Sequence, residues 1–433
     1  MHVLVLALAS AVSGAACGGR YDAHEASGDA GGASADASAA LGDAGLGDAG
    51  GDAQGGEEQS EPPIAEGGPA NPLQCPAGFT LGGGGCGRWQ PAGQNAGAAI
   101  DCRTATTLLD GRVLLVACGT AGAMLYDPAA DTFSALAPAL APVDPLLTGF
   151  TATRLQDGRV LVVGGSDGEG YPVTANAELF DPATQAFRPT GAMSTPRFQH
   201  ASALLPDGRV LTTGGASTNP GAGGIVDVVP LASAEIFDPA SETWSPAASP
   251  STPRMEHVAV TSADGSVIVV GGVSAWNQWL GATEVYGAYQ EPSGATTVGW
   301  QPAPAIGNMS VEGLAATLLS GGAVLGASYG GGDVLDVLRS TWTPTEGSSL
   351  GPNGGLVALP HGRALSISTD PYASHSNAAS VFDSATNTWS PTASPAAWHY
   401  DHVAAALLDG RVFALGGEAG YAAEIFTWVE ATP

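Results

Sequence analysis

Short apolar runs recur along the chain, each interrupted by Asp-Gly and resumed by a β-branched run that ends on glycine. The clearest copies are LLDGRVLLVACG from Leu108, LQDGRVLVVGG from Leu155, LLPDGRVLTTGG from Leu204, SADGSVIVVGG from Ser262 and LLDGRVFALGG from Leu407. Worn copies are LLSGGAVLGAS from Leu318 and LPHGRALSIS from Leu359. This pattern predicts a hairpin, because glycine supplies the positive φ that the turn requires. The turn glycines are then Gly111, Gly158, Gly208, Gly265, Gly321, Gly362 and Gly410. They recur at intervals of roughly forty to sixty residues, a spacing that suits propeller blades with loops of unequal length.

Two further strands follow each hairpin. One ends in Asp-Pro, as in MLYDP to Pro128, AELFDP to Pro182 and AEIFDP to Pro239, with a worn form, SVFDS, to Ser384. The other opens on an aromatic residue: Phe133, Phe187, Trp244, Trp300, Trp342 or Trp389. All but the first have a proline two residues on, which marks an outer edge strand. Each unit is thus four antiparallel strands. Seven hairpins meet only six such outer strands, and the seventh is expected at the other end, in Arg88 to Ala92 with Trp89 in the aromatic place. That strand would complete the last unit, close the ring and remove its open edge.

Strand, Asp-Gly, strand, Gly-Gly, Asp-Pro and then Trp closely resembles the kelch repeat, over Arg88 to Trp428. The resemblance implies an all-β fold: a seven-bladed kelch-type β-propeller of four-stranded antiparallel blades, closed by an N-terminal strand. The glycine pairs are Gly164-Gly165, Gly214-Gly215, Gly271-Gly272 and Gly416-Gly417. Cys118-Gly119 is read in that place in the first copy. The fifth and sixth copies lack the pair, so their blades are expected to be irregular.

Residues 1–17 read as an export signal, because VLVLALASAVSGAAC is apolar, too short for a span and ends on small residues before Cys17. GAAC resembles a bacterial lipoprotein cleavage site, which implies a lipid on Cys17; plain secretion is the other reading. Residues 18–70 hold eleven acidic residues against Arg20, with almost no large apolar side chain, and read as a disordered tether. Residues 71–87 form a cysteine-containing lead-in, and 88–433 the propeller.

The chain carries a net charge of −28 and contains no lysine. That argues against nucleic acid, whose binding needs clustered cations, and against polybasic attachment to lipid. The charge provides solubility, or else points to a cation-rich partner or calcium. Cys75, Cys86, Cys102 and Cys118 allow three pairings. Cys102 and Cys118 flank the Asp110-Gly111 turn almost symmetrically, which favours Cys102–Cys118 and Cys75–Cys86 over a zinc site. The two bridges are expected to pin the closing strand against the first blade.

The uniform Asp-Gly and Asp-Pro turns share one face, and the variable loops share the other, where function usually sits. Tyr171, Trp276, Trp279 and Tyr372 lie in those loops, and Trp398, His399 and Tyr400 precede the last hairpin. Flat rings beside polar groups suit a sugar or a protein partner, or else cover neighbouring loops. Arg197 and His200, Arg254 and His257, and Asp401 and His402 open inner strands. Three imidazoles there could bind a metal, whereas a motif repeated once per blade points to satisfied backbone carbonyls. Copper-radical oxidases resembling galactose oxidase need a tyrosine–cysteine crosslink, and no cysteine follows Cys118. Epimerase-like chemistry would draw on Glu256, Asp401 and Arg254. The sequence points to a monomeric, non-catalytic binding module at the bacterial envelope, with no metal and no cofactor. Its partner would be a protein or a glycan, and a glycan-acting enzyme is the alternative.

Overall fold

The computed structural model describes residues 74–82, 84–93, 102–118, 122–136, 148–166, 172–220, 226–274, 278–291, 295–306, 314–328, 331–337, 341–347, 355–369, 377–396, 402–416 and 423–432. The expected signal and tether lie outside them.

The hairpin turns explain why Asp-Gly-Arg recurs. In the first, Leu108 N donates to Arg112 O and Gly111 N to Leu108 O, leaving Leu109, Asp110 and Gly111 as the loop. Gly111 is left-handed, with φ +91°, as the third residue of such a loop must be. Asp110 Oδ1 accepts the Arg112 backbone N–H, and Oδ2 accepts the Arg112 guanidinium at 2.6 Å. The same bonds form at Asp157–Arg159, Asp207–Arg209 and Asp409–Arg411. At the second turn of blades 1, 2, 3 and 6, Asp127, Asp181, Asp238 and Asp383 accept from the backbone N–H two residues on.

These turns build seven antiparallel sheets around one axis. Blade 1 runs outward through Thr104–Thr107, Val113–Val116, Ala123–Asp127 and Thr132–Ala135. Blade 2 runs from Thr151–Arg154 to Ala186–Pro189, blade 3 from Ala201–Leu204 to Thr243–Ala247, and blade 4 from Val258–Thr261 to Thr296–Ala303. Blade 5 runs from Ala315–Leu318 to Thr341–Pro344, and blade 6 from Leu356–Leu359 to Thr388–Pro391. Blade 7 comprises Val403–Ala406, Val412–Leu415, Ala423–Glu430 and, from the other end of the chain, Gly85–Ala92. Each inner strand neighbours the next, and Val403–Ala406 lies beside Thr104–Thr107, so the ring is closed. Among the described residues there is no helix.

The core is divided among the blade junctions. Val160 and Val162 pack toward blade 1, with Leu114, Val116 and Phe150. Leu161 and Val163 pack toward blade 3, with Val210 and Phe237. Both faces of a central strand are therefore buried, which is why these strands read as unbroken apolar runs. Outer aromatics pack in a tilted arrangement across the register, as Trp244 does on Phe237 with ring centroids 5.2 Å apart. Their indoles reach the preceding blade: Trp244 Nε1 donates to Gly191 O, Trp300 to Ala248 O and Trp89 to Ala393 O.

Several finer expectations are corrected. The closing strand is Gly85–Ala92, longer than Arg88 to Ala92, and a fifth strand, Thr80–Gly82, pairs outside it. The left-handed turn glycine of blade 5 is Gly322 and not Gly321. In blade 1 the register sets Ala117 and Cys118 where blade 2 has Gly164 and Gly165. Blades 5 and 6 are complete four-stranded sheets. Without a glycine pair to turn the chain, their second strands simply run on, as Val324–Ser328 and Arg363–Thr369. Both disulfides form, Cys75–Cys86 and Cys102–Cys118. Neither joins the closing strand to blade 1. The first braces the approach to the closing strand in blade 7, and the second lies within blade 1.

Candidate functional site

On the variable-loop face, the second strand of a blade ends in the glycine pair. Gly164, Gly165, Gly214, Gly215, Gly271 and Gly272 are all left-handed. A Cβ on Gly164 would stand 2.5 Å from Arg197 O, and one on Gly214 would stand 2.5 Å from Arg254 O. The segment leading into the following blade therefore runs directly against the pair. Gly-Gly and Pro-Arg-x-x-His, separate in sequence, are the two halves of one junction.

Arg197 fastens blades 2 and 3. Its N–H donates to Thr174 O, and its carbonyl accepts from Gly165 N. Its fully buried guanidinium donates to Gly214 O at 2.7 Å, Ser233 O at 3.1 Å and Glu235 Oε1 at 3.0 Å. Arg254 does the same between blades 3 and 4. It donates to Gly271 O at 2.9 Å, Ala282 O at 3.0 Å and Glu284 Oε2 at 2.6 Å. Two carbonyls and a carboxylate thus form an oxygen cradle for a planar cation, the partner set that lets a charge be buried.

Blade 2 has the cradle without the arginine. Val163 pairs with Ala177 as Thr213 pairs with Ala234 and Val270 with Thr283. Gly164, Asn176 and Glu178 therefore hold the places of Gly214, Ser233 and Glu235. Glu178 is buried, its Oε2 has no hydrogen-bond partner, and burial pushes its carboxyl up to about 7.

The histidines lie beneath these junctions. His200, His257 and His402 are all buried. His402 Nε2 accepts from Gly355 N at 2.8 Å, and His200 Nε2 lies 3.1 Å from Thr151 Oγ1. Burial, then Arg197, holds His200 well below its ordinary value; burial, then Arg254, brings His257 down to about 3. Both are neutral imidazoles at physiological pH. Among the described residues no three His, Cys, Asp or Glu side chains are placed to hold a metal ion.

One pair at the rim of the channel was missed as a pair. Gln199 and Glu256, each two residues before an inner strand, are left-handed at φ +52° and +57°. Gln199 N donates to Gly149 O and Glu256 N to Gln199 O, so the backbone links blade to blade. Gln199 Nε2 donates to Glu256 Oε1 at 2.7 Å, and burial raises the Glu256 carboxyl against that bond. Left-handed non-glycine residues tend to persist where surrounding structure holds them, often at working sites. Their only signal in sequence is their place between arginine and histidine.

Of the loop aromatics, Trp279 is described. It is 42% exposed, on a short hairpin in which Val273 pairs with Trp279. Tyr171, Trp276, Tyr372, Trp398, His399, Tyr400 and Asp401 lie outside the described residues.

No protein-family model matches the chain, and no curated protein matches it in sequence. In structure it resembles 459 solved chains. One is a fungal alcohol oxidase of the AA5 family in complex with copper, with a TM-score of 0.59 and 16% identity, over 79% of this chain and 76% of that one. At that identity the likeness shows the propeller fold alone, and a fold hosting so many proteins does not select a chemistry.

Proposed function

We propose that the chain is a kelch-type propeller acting as a non-catalytic binding module at a bacterial cell envelope, with a protein or glycan held on its variable-loop face. The observation that carries this reading is the division of labour on that face. The buried arginines are bonded to carbonyls and carboxylates, while Trp279 stands exposed on a hairpin that follows the second strand of blade 4. An exposed ring on a rigid scaffold is a contact surface for a sugar face or an apolar protein patch. Two disulfides fit an oxidising compartment outside the cytoplasm. They use four of the five cysteines and leave Cys17 for the lipid of an export anchor. A monomer without cofactor completes the proposal.

The rival, a glycan-acting enzyme, draws on the Gln199–Glu256 pair, a carboxyl and an amide at the channel rim. Its oxidase-like form lacks support, because every cysteine after Cys17 is in a disulfide and none is free for a tyrosine crosslink.

Calorimetric titration of the purified full chain with envelope oligosaccharides and with solubilised envelope proteins tests the proposal. Saturable binding, weakened about tenfold or more by Trp279→Ala, with the ligand recovered unchanged, is expected. Conversion of a glycan that Glu256→Gln abolishes would establish the rival, and absence of saturable binding would remove the module reading.

A further inference from the structure

Three equivalent cradles, in blades 2, 3 and 4, are occupied unequally. Arg197 fills the one formed by Gly214 O, Ser233 O and Glu235, and Arg254 fills the one formed by Gly271 O, Ala282 O and Glu284. The blade 2 cradle keeps the same backbone. Gly164 has φ +67°, against +60° for Gly214 and +69° for Gly271. Gly164 N donates to Asn176 O just as Gly214 N does to Ser233 O and Gly271 N to Ala282 O. Its carboxylate is retained too, as Glu178, only 6% exposed and with Oε2 unpartnered. In sequence, the residue three before the one that leads the inner strand is Arg197 in blade 3, Arg254 in blade 4 and Leu147 in blade 2. No arginine or lysine occurs between Arg112 and Arg154, so the segment leading into blade 2 has no cation to offer.

We infer that the Gly164, Asn176 and Glu178 oxygens at the junction of blades 1 and 2 form a guanidinium site, filled by a guanidinium group from outside the chain. The sister cradles fix the ligand chemistry. In both filled cradles one guanidinium nitrogen takes the two carbonyls and the other takes the carboxylate, a two-nitrogen fork that the single nitrogen of an ammonium does not reproduce. A buried carboxylate without a counter-charge is costly, so the cradle gains most from an incoming cation. The site is separate from Trp279 and from the Gln199–Glu256 pair, and it stands or falls independently of the proposed function.

The test is calorimetric titration of the full chain at pH 8 with methylguanidinium, at constant ionic strength, beside methylammonium, calcium chloride and the blocked peptide acetyl-Gly-Arg-Gly-amide. Saturable binding of methylguanidinium is expected, at least tenfold tighter than methylammonium and weakened at least tenfold by Glu178→Gln. Binding of the peptide as well would assign the source to an arginine side chain; binding of methylguanidinium alone would assign it to a small free compound. Leu147→Arg restores an arginine at the sequence position that Arg197 and Arg254 hold in their own segments and is expected to abolish binding, which keeps the test decisive if Glu178→Gln fails to fold. Equal binding by wild type and both variants, equal binding of methylammonium, preference for calcium, or no binding would each overturn the assignment.

Discussion

Arg197→Met would remove the cation from one filled cradle and leave its oxygens in place. Three acceptors, Gly214 O, Ser233 O and Ser233 Oγ, lose their guanidinium donors. At about 1 kcal/mol each, that loss is about 3 kcal/mol at any pH. The carboxylate adds a pH-dependent part, and blade 2 supplies its scale. Glu178, in the equivalent place without an arginine, is pushed from an ordinary 4.5 up to about 7. Such a shift corresponds to about 3 kcal/mol of lost stability once the group must ionise. A carboxyl raised in the fold binds its proton more tightly there than in the unfolded chain. Stability is therefore full below 4.5, falls as pH rises and reaches its floor above about 7. Glu235 also accepts from Ser194 N and Thr195 N, so about 3 kcal/mol is the ceiling for the variant.

Urea unfolding followed by tryptophan fluorescence, at pH 5 and pH 8, would measure both parts. Relative to wild type, Arg197→Met should lose about 3 kcal/mol at pH 5 and up to about 3 kcal/mol more at pH 8. Removing the carboxylate as well, in Arg197→Met/Glu235→Met, should erase the pH-dependent part, since an apolar replacement of both partners of a buried pair is tolerated better than loss of one. An equal loss at the two pH values, or no recovery in the double variant, would refute the account of the cradle.

The glycines provide an internal comparison. Gly215→Ala puts a Cβ 2.6 Å from Phe198 O at φ +83° and should cost about 3 kcal/mol by calorimetry, whereas Gly111→Ala, whose nearest neighbour is 3.6 Å away, should cost about 1 kcal/mol. Reducing Cys102–Cys118, which closes a separation of 16 residues, should lower stability by about 3 kcal/mol in urea, with the Cys102→Ser/Cys118→Ser variant matching the reduced protein. Deleting residues 85–92 removes the strand paired along the whole of Ala423–Glu430 and should lower the melting temperature sharply. Deleting 18–70 should leave it unchanged, and equal melting temperatures would refute closure by the N-terminal strand.

The fold was legible because each of its parts has a local cause. Asp-Gly-Arg writes a turn whose bonds close within three residues, and the aromatic–x–Pro strand declares itself an outer edge by the donor that proline lacks. The missing seventh outer strand could be found by counting alone. Junction chemistry was legible only in halves, because its partners are far apart in sequence: Arg197 and Glu235 are 38 residues apart, and Arg254 and Glu284 are 30. Neither periodicity nor turn chemistry links such positions. The same distance hid Glu178, which looks like one more glutamate in AELFDP until the register gives it the place in blade 2 that Glu235 holds in blade 3. Worn copies misled in the opposite sense, since absence of a glycine pair alters how a strand leaves the blade and not whether the blade forms. Repetition thus makes each blade a control for the others. The register sets a buried carboxylate at this position in blades 2, 3, 4, 5 and 7, as Glu178, Glu235, Glu284, Asp333 and Glu424. A carboxylate that recurs is explained by the shared scaffold; what sets Glu178 apart from Glu235 and Glu284 is an oxygen with no hydrogen-bond partner, where the scaffold alone gives no reason for the charge.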